Sequence, residues 1–117
     1  MVQGAAGSSR ADGRADMSRA AELLAEELNT PVHHGFVAAI DPKFHEVVAE
    51  HQPKFAATYL LADGFFAGKM RRDAESTGVP VKVAAPLVNA QGGASAAVVA
   101  ECFIDRMDAA IALLDAA

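Results

Sequence analysis

Apolar runs of strand length alternate with amphipathic helical stretches along this chain. Met17, Leu24 and Leu28 recur at the three- and four-residue spacing of one helix face, with glutamate side chains on the opposite face. Residues 54–61, KFAATYLL, are instead almost all apolar, which is the pattern of a strand covered on both faces. Together the two patterns indicate a domain in which helices pack against a sheet.

Eight elements are predicted, in the order β-α-β-α-β-α-β-α. The predicted strands are residues 1–6, 32–39, 54–61 and 79–85, and the predicted helices are residues 13–28, 41–51, 67–76 and a long stretch from residue 95. Asp41 and Ser95 are expected to cap the second and fourth helices, because their side-chain oxygens can accept hydrogen bonds from free backbone N–H groups. Right-handed crossovers then predict a single three-layer α/β domain over residues 1–117, with a four-stranded, mostly parallel sheet and helices on both faces.

The predicted last helix carries one apolar stripe. It consists of Val99, Phe103, Met107, Ala110 and Leu114. Cys102 lies in the same pattern and is interpreted as a buried small side chain. Alanine accounts for 27 of the 117 residues, so the core of large side chains is thin, and a homodimer is expected to supply further burial.

Charge and hydropathy argue against several classes of partner. The net charge is −5 and there is no long basic run, which argues against nucleic acid. No stretch approaches the roughly 18 uninterrupted apolar residues of a membrane span, and the first ten residues lack the charged and apolar regions of a secretory signal. The cytoplasm is therefore the expected location, and the single cysteine excludes an internal disulfide.

A binding site is expected at the carboxyl ends of the parallel strands, where open α/β sheets hold their ligands. The loops there are residues 7–10, 38–41, 62–66 and 86–93, and three of them contain glycine, which lets a ligand approach the backbone closely. Polar and basic side chains near this edge suit a carboxylated or phosphorylated ligand. They are Ser8, Ser9, Arg10, Lys69, Arg71 and Arg72. A solvated helix face is the alternative interpretation of the last three.

The four histidines do not predict a metal site. His33 and His34 are neighbours in a strand, so their side chains point to opposite faces. His45 and His51 are six residues apart on a helix, about 600° around its axis, and therefore diverge. Structural roles are expected for all four.

Four segments resemble, in order and spacing, the motifs of the short, single-domain sirohydrochlorin chelatases. Residues 6–10 (AGSSR) resemble the strand-ending H-G-S-R motif of that family, and residues 36–42 (FVAAIDP) resemble its second strand and acidic-proline helix start. Residues 60–66 (LLADGFF) and 83–87 (VAAPL) are similar to its G-[YF]-[HF] and V-x-x-P-L-G segments. The resemblance covers nearly the whole chain. That family inserts cobalt or iron into a tetrapyrrole during cobalamin or siroheme synthesis.

The resemblance implies that the carboxyl edge holds a carboxylated tetrapyrrole, with cobalt or iron as a substrate metal and no permanently bound cofactor. The implied ligand contacts are Ser8, Ser9, Arg10, Gly64, Lys69, Arg71 and Arg72.

The chain departs from the family pattern at the positions that would carry out metal insertion. Ala6 and Phe66 stand where the family has histidines, and Ala38 falls where it has a glutamate. Metal insertion needs a ligand for the incoming ion and a base for two pyrrole protons, tasks that alanine and phenylalanine cannot perform. We therefore expect little or no insertion unless other histidines or a dimer partner supply those groups. The alternatives are a non-catalytic tetrapyrrole- or metal-binding protein and a plain dimerising α/β domain.

Overall fold

The structure is a computed structural model that describes residues 1–38, 40–89 and 94–115. Its strands are β1 (Val2–Ala5), β2 (His33–Phe36), β3 (Phe55–Tyr59) and β4 (Lys82–Val83), and its helices are α1 (Ala11–Leu28), α2 (Phe44–His51), α3 (Phe65–Ser76) and α4 (Ala94–Asp115). The predicted order of elements and the α/β class are both confirmed.

The four strands form one sheet in the order β2-β1-β3-β4, and every pairing is parallel. Successive side chains of β1 point to opposite faces. Val2 belongs to the buried cluster that contains Phe44 of α2 and Met70 of α3. Gln3 faces the other way, and its Nε2 donates to the Met17 carbonyl oxygen of α1 at 3.2 Å. Thus α1 covers one face of the sheet, and α2 and α3 cover the other.

The main core lies between the sheet and the α2–α3 pair. Gly35 of β2 lets α2 approach the strand closely, because a Cβ at that position would lie 2.6 Å from the Phe44 Cα. The buried cluster consists of Val2, Val37, Phe44, Val47, Val48, Ala56, Met70 and Ala74. The large side chains are few, as the alanine content predicts.

The strands are shorter than the hydrophobic pattern predicts, most of all β4. Val79 and Val81 pack against the core from outside that strand. The N–H of Val81 donates to the carbonyl of Val79 at 2.8 Å, so the backbone turns there instead of pairing with β3. Apolar character therefore marks burial in this segment but not strand geometry.

Neither predicted helix cap is present. The α2 helix starts at Phe44 with Lys43 as N-cap and no side-chain cap. The cause is a continuation of the β2 ladder, in which the N–H of Phe36 donates to the Pro42 carbonyl at 2.7 Å and holds residues 42–43 beside the strand. Ser95 lies inside the first turn of α4, and its hydroxyl donates to the Leu87 carbonyl at 2.8 Å.

The prediction that β3 is covered on both faces is wrong. Ala56 and Thr58 are buried on the α2–α3 side, whereas Phe55 and Tyr59 on the opposite side remain 54% and 43% exposed. The reason is the position of α1, which packs against β2 and leaves the same face of β3 open. We call this uncovered surface of β3 and β4 the open face.

The last helix extends away from the sheet. Its apolar side chains are exposed, and the longest dimension of the molecule is 54 Å against 34 and 30 Å for the other two. Cys102 is also exposed, which corrects the interpretation of a buried side chain. The exposed large apolar residues of α4 are Val98, Phe103, Ile104, Met107, Ile111, Leu113 and Leu114. None of the helices in the described ranges has the combination of length and apolar character that crossing a membrane requires.

Candidate functional site

The β1–α1 loop forms one side of the carboxyl edge, and most of its polar groups are used within the loop. Gly7 has φ of 111°, and a Cβ there would lie 3.0 Å from the Ile40 Cδ1, so this turn requires glycine. The Ser8 hydroxyl accepts from the Arg10 N–H at 3.1 Å, and Arg14 donates to the Ser8 carbonyl at 2.9 Å. Ser9 is exposed. The loop is therefore held in shape by its own serine and by α1.

Arg10 is directed at a carboxylate of its own helix. Its guanidinium donates to both Asp12 oxygens, at 3.0 and 3.1 Å. This hydrogen bond raises the pKa of Arg10, and together with the N–H of Gly13 it lowers the pKa of Asp12. Both side chains are largely exposed, so an incoming carboxylate could compete with Asp12 for the guanidinium.

A cavity of about 240 Å³ lies at the same edge, between the end of β2 and the helices α2 and α3. Its apolar lining comes from the last residues of β2 and the residues that follow. Three basic side chains, from two helices and one loop, complete the lining, and we call this space the basic cavity. The lining residues are Phe36, Val37, Ala38, Lys43, His45 and Lys69. Ala38, which stands where the chelatase family has a glutamate, therefore lines the same cavity as two lysines.

The two lysines of this cavity already have carboxylate neighbours. Lys69 Nζ lies 2.7 Å from Asp73 Oδ2, a close i,i+4 pair on α3. Lys43 Nζ lies 3.9 Å from Asp41 Oδ1, at the limit of an ion pair. Each ammonium group has three donors, so both can donate a hydrogen bond to a further carboxylate.

The remaining α3 cations do not share the cavity with Lys69. Arg71 donates from Nη1 and Nη2 to Asp63 Oδ1, at 3.3 and 3.4 Å, and lines a separate cavity on the β4 side of the helix. Arg72 folds back over Gly68, where its Nη1 would lie 3.1 Å from an added Cβ. Side chains on a helix lean toward its N-terminus, so both guanidinium groups lie near the first turn of α3 and the carboxyl edge.

An exposed apolar rim lies at the start of α3. Phe65 and Phe66 form an edge-to-face pair with ring centroids 5.4 Å apart, and their exposed fractions are 70% and 39%. The N–H groups of Leu87 and Val88 donate to the carbonyls of Leu60 and Leu61, extending the β3–β4 ladder to this edge. The carboxyl-edge rim therefore consists of Leu61, Phe65, Phe66 and Leu87, all of them exposed.

The sequence-predicted ligand contacts thus fall into several groups along one edge. Ser8, Ser9 and Arg10 lie in the first loop, Gly64 is the N-cap of α3, and Lys69 lines the basic cavity. Lys43 and His45 were missed by the sequence interpretation. Lys43 could have been found, because it lies two residues beyond the predicted edge loop and ahead of α2.

His33 and His51 form an unexpected pair at the opposite, amino edge of the sheet. Their rings are parallel within 5° with centroids 3.6 Å apart. The sequence did not predict this contact, which joins the first residue of β2 to the last residue of α2. Within the described ranges, no three His, Cys, Asp or Glu side chains are placed to share a metal ion.

Comparison of the chain with protein-family models, with curated proteins and with solved structures finds no match.

Proposed function

We propose that this chain binds a carboxylated tetrapyrrole, in the cytoplasm, at the carboxyl edge of its sheet. The observation that carries the proposal is the adjacency of two surfaces at this edge. The basic cavity contains Lys43, His45 and Lys69, and the exposed carboxyl-edge rim begins one helical turn before Lys69. Phe65 and Lys69 are four residues apart on α3, so their side chains are neighbours on the same helix face.

The two surfaces match the two parts of such a ligand. A tetrapyrrole is flat and has apolar faces, which suit exposed aromatic rings such as Phe65 and Phe66. Its carboxylates lie around the periphery, where they can meet the ammonium groups of Lys43 and Lys69. Hydrogen bonds between ionised groups are about twice as strong as neutral ones, so the lysines would fix the orientation of the macrocycle.

Metal insertion is not part of this proposal. Ala6, Ala38 and Phe66 occupy the positions where the resemblance would place the metal-holding and proton-accepting groups, and none of the three side chains carries such a group. Binding without insertion is the function that the side chains at this edge support. An assay for cobalt or iron insertion into the bound tetrapyrrole is expected to show no turnover above the protein-free rate.

The test is an absorbance titration of the protein with uroporphyrin, a porphyrin with eight carboxylates. The double variant Lys43→Gln/Lys69→Gln is expected to bind about ten-fold more weakly, since each lysine contributes about 0.5–1 kcal/mol as a partly exposed charge. The matched control is Arg19→Gln/Lys54→Gln, which removes the same two charges from α1 and from the amino edge.

Three outcomes would count against the proposal. The parent protein could fail to change the porphyrin spectrum at millimolar ligand. The cavity variant could bind as tightly as the parent. Alternatively, the control could lose as much affinity as the cavity variant, which would assign the binding to net charge rather than to the cavity.

A further inference from the structure

The open face of the sheet contains a continuous apolar groove. One cavity of about 270 Å³ lies along β3 and β4 and is lined on this face by Phe55, Ala57 and Lys82. A second cavity of about 420 Å³ lies between α1 and β3, where Leu23, Leu24 and Tyr59 line it together with the same Ala57. The shared alanine joins the two cavities along the full length of β3. No described helix of this chain covers them.

The α4 helix has the complementary property, an apolar surface that contacts almost nothing. At 100° per residue, its exposed apolar side chains span about 240° of the helix circumference, an arc that also contains Arg106. Glu101, Asp105 and Asp108 lie on the opposite side of the helix. An apolar arc of this width exceeds the single stripe predicted from sequence, and it is wide enough to contact a sheet and a neighbouring helix at the same time.

We infer that two copies of this chain form a dimer by exchanging α4, so that each α4 lies in the groove on the open face of the other copy. The occupant of the groove is thus a second copy of this chain. The exchange would cover the exposed side of Phe55 and Tyr59, which makes β3 a strand buried on both faces, as its apolar sequence indicates.

The attachment of α4 favours exchange over folding back within one chain. Its first turn is fixed at the carboxyl edge by the Ser95–Leu87 hydrogen bond, and Val99 and Phe103 line one cavity together with Leu61 and Leu87. From there the helix runs away from the sheet. Folding back onto its own open face would break these contacts, whereas a second copy can fill the groove with all of them intact.

Area and charge are both consistent with a stable dimer. The exposed apolar side chains of α4 and the groove, at about 100 Å² each, would bury roughly 1,500–2,000 Å² in the dimer, which is the range of stable interfaces. An α4 antiparallel to the strands would also place its last turn at the amino edge. Its free carbonyl groups would lie there beside Lys82, a favourable position for a cation.

Sedimentation of the full chain at micromolar concentration tests the exchange. The parent is expected to have twice the monomer mass of 12.1 kDa. The helix variant Phe103→Asp/Met107→Asp and the groove variant Phe55→Asp/Tyr59→Asp should each weaken the dimer at least about 100-fold, because each places two carboxylates in the apolar contact. The matched control, Glu101→Lys/Asp105→Lys, changes the opposite side of α4 and should dimerise as the parent does. Far-UV circular dichroism confirms that each variant is folded.

Mixing the two weakened variants distinguishes exchange from simple pairing of α4 helices. In the mixture one intact α4 meets one intact groove, so a heterodimer should form at concentrations where each variant alone is monomeric. A parent protein that sediments only at 12.1 kDa would overturn the inference. So would a groove variant that dimerises as tightly as the parent, because that dimer would not use the groove.

Discussion

The stacked histidine pair is expected to make the stability of this protein depend on pH. Desolvation by burial lowers the pKa of His33, since the His51 ring shields one face of it from water. Repulsion from His51 and from the N-terminal amine lowers it further, and Glu50 only partly offsets these effects. A proton on His33 is therefore bound more weakly in the folded chain than in the unfolded one.

The sign of the effect follows from proton linkage. As the pH falls below 6.5, the usual pKa of histidine, the unfolded chain takes up this proton more readily, and the free energy of unfolding decreases. We expect urea unfolding between pH 7.5 and 5.5 to show a smaller decrease for His33→Gln than for the parent. His45→Gln is the control, since His45 lies at the carboxyl edge of the sheet and is not among the groups that shift the pKa of His33. An unchanged pH dependence in His33→Gln would contradict the assignment.

Contacts between side chains of different elements were the least predictable feature of the sequence. His33 and His51 are 18 residues apart, and their contact depends on how α2 lies on β2. Lys43 joins the candidate site because an extension of the β2 ladder delays the start of α2. Hydrophobic periodicity contains no information on either event, so the sequence could place Lys69 near the carboxyl edge but could not predict that Lys43 lies in the same cavity.

A second residue-scale prediction concerns the close approach of α2 to β2. Gly35→Ala should destabilise the fold by about 1–3 kcal/mol, because the new methyl group would meet the backbone of Phe44 and would displace the helix. Gly64→Ala is the matched control, since nothing lies within 4 Å of a Cβ at that position. Urea unfolding measures both. Equal stability of the two variants would mean that α2 moves at little cost.

At the scale of elements, the order, number and type of the helices and strands could be predicted from hydrophobic period alone. Which face of each strand is covered could not. The run from Phe55 to Tyr59 reads as buried on both faces, although one chain covers only the side of Ala56 and Thr58. The stripe of α4 likewise indicates burial, although its side chains are exposed. Both discrepancies have the same physical explanation if the missing cover comes from a second copy.

The two arginines of α3 are expected to contribute unequally to the binding of a porphyrin. Arg71 is already paired with Asp63, whereas no ion pair involves Arg72 in the described part of the chain. We expect Arg72→Gln to weaken uroporphyrin binding by about two- to five-fold and Arg71→Gln to have a smaller effect, as is usual for exposed ion pairs. Added salt should weaken binding by the parent, through screening. If Arg71/Arg72 double replacement leaves the affinity unchanged, the two side chains form only a solvated helix face.

At the scale of the whole molecule, the proposed ligand site and the proposed dimer contact lie on different surfaces. The basic cavity is formed by the end of β2, α2 and α3, and the groove lies on the α1 side of β3. They meet only at Leu61 and Leu87, where α4 leaves the sheet. The two proposals can therefore fail independently, because replacing Lys43 and Lys69 should not change the mass of the dimer.

The most direct test of tetrapyrrole binding at the carboxyl edge is the ¹⁵N–¹H spectrum of the protein titrated with uroporphyrin. A bound porphyrin shifts nearby amide signals strongly through its ring current. The binding site described above predicts large shifts for Ala38, Lys43, Gly64, Phe65 and Lys69, and little change at the amino edge, at Val32, Lys54 and Lys82. Shifts confined to the amino edge or to α4, or a spectrum that does not change at saturating ligand, would contradict it.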